Sequence, residues 1–121
     1  MAIDTLPKAL LNIAQRQPNR IAMRRKDYGI WQDITWAEYL ENVKYVTLGL
    51  NALGVKYRDH VAIIGENRPE WLYSALGAVC AGGAWVGIYT TNPVPECKYV
   101  VEHSDSVVYI CEDEEQLDKA L

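Results

Sequence analysis

Three short apolar runs in the second half of the chain, His60-Val-Ala-Ile-Ile64, Trp85-Val-Gly-Ile88 and Val107-Val-Tyr-Ile110, leave few folds open. Corresponding positions along them, Ile63, Gly87 and Tyr109, lie 24 and 22 residues apart. That spacing is too long for a hairpin and leaves room for one crossover helix each, so the runs are expected to form parallel strands in βαβ units. They are apolar throughout rather than alternating, and such strands need a helix over each face of their sheet. The expected fold class is α/β: a three-layer domain with a parallel βαβαβ sheet flanked by helices.

The intervening segments read as those helices. The first opens at Asn67-Arg68-Pro69-Glu70, where Asn67 is the expected cap, Pro69 fits the first turn and Glu70 complements the helix dipole. Its interior carries Ser74, Ala75, Gly77 and Ala78. Glycine costs a helix about 1 kcal/mol relative to alanine, so Gly77 marks a close approach of the sheet or another helix. The second crossover helix is expected to start at Asn92-Pro93 in the same manner, with Cys97, Val100 and Val101 inward. A third opens in residues 112–121 with acidic residues at its start.

Residues 1–58 prepare for this βαβαβα unit of residues 59–121, and the whole of 1–121 is expected to be a single domain. Thr5 caps an N-terminal helix with Leu6, Leu10, Ile13 and Ala14 near the helical period, ended by Pro18-Asn19. Residues 21–25 and 30–34 form a β-hairpin through Asp27-Tyr28-Gly29, with Gly29 accepting a positive φ. Thr35-Trp-Ala-Glu38 has the capping-box pattern. Trp36, Tyr39, Leu40, Val43, Val46, Leu50 and Leu53 then recur at helical steps up to Gly54, a left-handed C-cap.

Charge and composition exclude several functions. With 12 basic and 16 acidic residues the net charge is -4, and no nucleic-acid partner is expected. The basic run Arg24-Arg25-Lys26 lies beside the hairpin turn and reads as a solvated tip. Cys80, Cys97 and Cys111 share no metal-ligand spacing, and their odd count suits reduced thiols in a cytoplasmic protein. Residues 71–95 carry no charge, but Gly82-Gly83 and the polar Tyr89-Thr-Thr-Asn-Pro93 break them, so no transmembrane segment is expected. Residues 2–20 lack the continuous apolar core of a signal peptide.

Ligands of open α/β sheets gather at the carboxyl ends of the strands. Those ends hold Gly65-Glu66-Asn67, Tyr89-Thr-Thr-Asn92 and Cys111-Glu112-Asp113, which makes Glu66, Asn67, Thr91 and Asn92 the ligand-proximal candidates; their competing role is in turns and caps. Gly77 and Gly82-Gly83 precede a strand rather than joining strand to helix, so they are packing glycines and form no phosphate loop. His60 and His103 lack spaced partners, and no catalytic, cofactor-binding or metal-ligating residue is expected. Asp113, Glu114 and Glu115 read as a solvated helix start. Trp31, Trp36, Trp71 and Trp85 read as core.

Taken together, the Thr5-Leu6 helix start, Ile34-Thr-Trp-Ala-Glu38, Leu53-Gly-Val55, Gly65-Glu-Asn-Arg-Pro-Glu-Trp71 and the Tyr89 turn resemble the N-terminal part of long-chain acyl-CoA synthetases, in the adenylate-forming (AMP-binding) superfamily. The resemblance implies a parent that joins a fatty acid to ATP, giving an acyl adenylate and pyrophosphate with the help of Mg2+, and then transfers the acyl group to coenzyme A. It also implies that the phosphate loop, the nucleotide contacts and the adenylation lysine follow the equivalent of Leu121. The 121 residues are then scaffold, inactive and binding none of these cofactors alone, with the rest of the enzyme chain as partner and contact with a membrane limited to its periphery.

A rival class is a stand-alone α/β module that holds a small ligand or partner near Asn67 and Asn92. A flavodoxin-like or receiver-like domain would need a phosphate loop or acidic cluster after the first strand. On the scaffold reading, exposed sheet edges favour a homodimer or higher oligomer at high concentration.

Overall fold

The computed structural model describes residues 2–121. Thr5 accepts a hydrogen bond from the Lys8 amide (3.3 Å) and starts α1, Leu6–Arg16, whose Leu10 and Ala14 are buried. Strands β1 (Ile21–Asp27) and β2 (Ile30–Thr35) pair antiparallel around a turn of only Tyr28 and Gly29, both at positive φ (51° and 78°). That is the two-residue turn whose twist matches the flanking strands.

Helix α2, Trp36–Ala52, begins where the Thr35 hydroxyl accepts from the Glu38 amide (3.2 Å). The Glu38 carboxylate reaches back to the Thr35 hydroxyl (3.3 Å). At the other end Gly54 N–H donates to Asn51 O and Val55 N–H to Leu50 O, the paired bonds of a Schellman motif, with Gly54 at φ 93°. Val55 and Leu50 meet in the core below it.

Strands β3 (His60–Ile64), β4 (Ala84–Ile88) and β5 (Ser106–Cys111) form the expected parallel sheet, in the order β4-β3-β5. Central β3 is sealed on both faces, with Val61 to Ile64 no more than 2% exposed. Val61 and Ile63 pack with Ala75 and Ala78 of α3 (Pro69–Cys80), while Ala62 and Ile64 pack with Cys97, Val100 and Val101 of α4 (Val94–His103). One helix therefore covers each face. Helix α2 lies behind α3, and a second cluster of Leu10, Tyr39, Val43 and Tyr73 joins α1, α2 and α3 to the hairpin residues Met23 and Ile34. Tyr39 and Tyr73 meet edge to face at 5.6 Å.

Four expectations need correction. Asn67 does not cap α3: Arg68 occupies that position without a side-chain cap bond, because Pro69 is the first helical residue and holds its predecessor extended (φ -120°, ψ 160°). Asn92 does not cap α4 either; Pro93 precedes the helix, whose second residue is Pro95. Its amide instead closes a turn on Tyr89 O (3.1 Å), and its carbonyl accepts from Cys97 Sγ (3.5 Å). Third, Ile63 aligns with Gly87 as expected but with Ile110 rather than Tyr109. The β3–β5 ladder runs from His60–Ser106 to Val61–Val108, so Val107 is an extra, outward residue that shifts the register by one. Fourth, the four indoles are not all core. Trp36 and Trp71 are half-buried, whereas Trp31 and Trp85 are exposed, the latter on edge strand β4.

Gly77 is explained by helix α2. A Cβ built there would stand 2.4 Å from Val46 Cγ1 and 2.8 Å from Val46 Cβ, so the two helices touch through the missing side chain. Gly77→Ala is expected to lower stability by about 1–3 kcal/mol in urea titration despite alanine's better helix propensity. The double variant with Val46→Ala should recover part of that loss; no recovery would locate the clash elsewhere.

A second prediction concerns alkaline pH. The Tyr109 hydroxyl donates to Gln116 O (2.8 Å), and burial, reinforced by the thiols of Cys97 and Cys111, pushes it up to about 12. Burial also raises Tyr39 and Tyr73. An unfolded phenol loses its proton near pH 10, so above that pH the native state binds more protons, and stability falls as pH rises towards 12. The urea midpoint should decline over that window, less steeply in Tyr109→Phe. An identical decline in that variant would remove Tyr109 from the account.

Candidate functional site

The carboxyl ends of β3 and β5 lie side by side, and their chains leave in opposite directions. After β3 the chain enters α3 on one face. After β5 it enters α5 (Glu114–Asp118), tied through Tyr109 to the α4 face. Divergent exits of this kind open a crevice at the end of a parallel sheet.

Glu112, the first residue beyond β5, fills the crevice. Its Oε2 accepts the backbone N–H of Glu66 at 3.0 Å, and Arg68 Nε stands 2.7 Å from its Oε1. The Glu112 side chain is only 14% exposed and that of Arg68 59%. The Arg68 N–H is not aligned on Oε1, which has no hydrogen-bond donor among the described residues, so the contact is one of charge. Arg25 of the hairpin reaches Glu70 in the first turn of α3 (3.0 Å), which fixes the hairpin beside the same helix start.

On the β4 side the Glu66 carboxylate accepts from the Thr90 hydroxyl (2.9 Å), and Lys119 Nζ donates to Thr90 O (2.7 Å). Trp71 stands between the two halves. A Cβ at Gly87 would touch its Cζ2 at 3.4 Å, so the indole lies against β4 where that strand has no side chain. A cavity of about 320 Å3 lies on the β5 side, lined by Trp71, Ile63, Ile110, Glu66, Glu70 and Glu112. Another of about 410 Å3 lies on the β4 side, between Trp71, Gly87, Tyr89, Thr90, Glu66 and Asn67.

Of the four candidates read from the sequence, Glu66 and Asn67 line the second cavity. Thr91 and Asn92 stand outside it, and Thr90 takes the place next to Glu66. Arg68, Glu112 and Trp71 were not among the candidates. One signal would have found Glu112: like Glu66, it sits close beyond the end of a parallel strand, and such positions on neighbouring strands converge. Asp113, Glu114 and Glu115 are exposed, with Asp113 capping α5 through the Gln116 amide (3.0 Å). His60 binds Ser104 O at the opposite end of the sheet, and among the described residues no group of His, Cys, Asp and Glu could hold a metal ion.

Glu112→Ala removes the acceptor of the Glu66 amide together with the charge facing Arg68. It should cost about 1–3 kcal/mol in urea titration. Arg68→Ala, removing the exposed partner, should cost about 1 kcal/mol or less. Equal costs would mean that the ion pair, rather than the amide bond, closes the crevice.

The chain has clear relatives. The family model described as AMP-binding enzyme matches residues 10–121. A Mus musculus long-chain-fatty-acid–CoA ligase, ACSBG2, is 34% identical over 117 residues, covering 97% of this chain and 18% of the relative. A Rattus norvegicus long-chain-fatty-acid–CoA ligase, ACSBG1, is 37% identical over 101 residues, covering 84% and 14%. The chain thus spans less than a fifth of the length of these relatives. Among solved structures, an anthranilate CoA ligase, AuaEII, in complex with anthranoyl-AMP superposes with a TM-score of 0.84 at 25% identity, over 93% of this chain and 21% of that one. The N-terminal subdomain of Klebsiella oxytoca NpsA superposes with a TM-score of 0.80 at 24% identity, over 90% and 28%. A match that begins at Leu10 in α1 and runs through all five strands to Leu121 makes this chain a member of the AMP-binding enzyme family.

Proposed function

We propose that these residues are scaffold of an ATP-dependent acyl-CoA ligase that activates a long-chain fatty acid as its acyl adenylate and passes the acyl group to coenzyme A. The observation that carries the reading is the family match over residues 10–121 together with relatives whose names are long-chain fatty-acid ligases.

The donor set at the strand ends does not fit a triphosphate. Glu66, Glu70 and Glu112 all line one cavity, and the cations nearby are already engaged, Arg68 facing Glu112 and Arg25 paired with Glu70. Lys119 is spent on Thr90 O. Phosphoryl chemistry needs several fixed donors and a cation converging on one point, so ATP, Mg2+ and coenzyme A are assigned to the ligase as a whole and no step to these side chains. What the residues do is positional. Glu112 pins the β3–α3 turn, Trp71 props α3 against β4, and Glu66 and Asn67 are left facing the cavity where a ligand would come nearest. The open edges of β4 and β5 are where a further strand or a second copy would pair.

The 121 residues alone should release no pyrophosphate from ATP with a long-chain fatty acid. Grafted in place of the matching segment of the Mus musculus ligase, they should restore formation of acyl-CoA. A graft that folds cooperatively yet forms no acyl adenylate would refute the reading.

A further inference from the structure

We infer that the apolar groove between α1 and α2 is a binding site for an alkyl-chain carboxylate, separate from the crevice at the strand ends. The groove has a volume of about 290 Å3, near the ~300 Å3 at which small-ligand sites begin. Leu10 and Val43, both buried, form its floor, and Leu11, Leu40 and Leu48 stand along it, Leu11 and Leu48 being 37% and 65% exposed. Thr47 of α2 and Cys80, the last residue of α3, complete the lining. The Thr47 hydroxyl is turned back on its own helix, where it donates to Val43 O at 2.8 Å, so it gives the groove no donor. Helix α3 separates this groove from the crevice: Trp71 stands near its start and Cys80 at its end, about 14 Å along the axis.

Charge decides the occupant. Lys44 is the one charged residue that lines the groove. Among the described residues it enters no ion pair. The charges nearby have partners and do not line the groove: Glu41, one turn earlier on α2, accepts from the Tyr45 hydroxyl at 2.9 Å, and Lys8 of α1 is paired with Asp4 at 2.8 Å. A lysine lays its stem along apolar surface and keeps its ammonium at the rim, where an anion gains a charge-assisted bond. An alkyl chain ending in a carboxylate answers both parts of such a site. Its methylenes leave water for the leucines and need no hydrogen bonds, and its single anionic group meets the single free cation. A neutral apolar ligand leaves Lys44 unused, and a polar one meets no partner on the floor. This inference does not depend on the ligase reading.

The test is alkylation of Cys80 by iodoacetamide in the 121-residue chain, followed by peptide mass spectrometry, with and without monomeric laurate. At a laurate concentration ten times its Kd, alkylation of Cys80 should slow about tenfold. Cys111, which lines the strand-end crevice, should react as before. Lys44→Met, which keeps the stem and removes the charge, should weaken laurate about fivefold, and Lys44→Glu about tenfold or more. Dodecyltrimethylammonium, the same chain with the opposite charge, should shield Cys80 in Lys44→Glu and leave it reactive in the unaltered chain. Leu48→Gln, at an exposed helical position, should weaken laurate about fivefold. Tyr99→Gln, at an exposed ring on α4, should leave it unchanged. Shielding of Cys111 rather than Cys80 would move the carboxylate to the strand ends, and equal shielding by laurate and dodecyltrimethylammonium would remove Lys44 from recognition; either overturns the proposal. So would unchanged alkylation of Cys80, or self-association that Leu48→Gln abolishes while laurate leaves Cys80 reactive, which would seat a second copy of the chain in the groove.

Discussion

Strand β3 has no side that can face water, and the rest of the molecule follows from that. Its four residues Val61 to Ile64 are apolar and sealed, so both faces need a helix and both edges need a strand. Unpaired backbone groups so deep would each cost as much as a lost hydrogen bond, and β4 and β5 satisfy them. Helices α3 and α4 supply the faces. Because α3 must lie close to the sheet it uses small residues, and its outer side, at Gly77, is narrow enough for α2 to rest directly upon it. The hairpin and α1 then cover what α2 leaves open.

Most of this was legible because each feature leaves a local mark. The capped start at Thr35, the glycine after α2, the glycine of the hairpin turn and the near-equal spacing of the strands are written within a few residues of where they act. What escaped depends on neighbours that the local pattern does not name. A proline at the first or second helical position moved both expected caps, and the extra Val107 moved a register by one. Trp85 looked like core because it lies in an apolar run, but burial is a property of the sheet's centre, and β4 is an edge. At the site, Glu66 and Asn67 were visible from their place after β3. Glu112 carried the same signal after β5, whereas its pairing with Arg68 was not legible, since it spans residues far apart in sequence and forms only once β5 has joined the sheet.

The arrangement at the strand ends also separates scaffold from chemistry. Its carboxylates and its one guanidinium largely engage one another and the backbone, and the network stiffens the exits of three strands. A wall with fixed cavities beside Trp71 is what such stiffening produces. Family membership rests on the whole sequence match, whereas the site contributes geometry and no reacting group.

The order of the strands sets the order of folding. Of the three, β3 is made first, yet it lies in the middle: Ile64 waits 24 residues for Ile88 and 47 for Cys111. Contacts this far apart in sequence must close their loops before they return any stability, so the sheet is expected to assemble after the local elements. During that interval a fully apolar strand has two bare edges, the state in which chains pair wrongly with one another. The helices and hairpin of residues 2–58, built from local contacts, are able to form beforehand and offer β3 a surface while it waits.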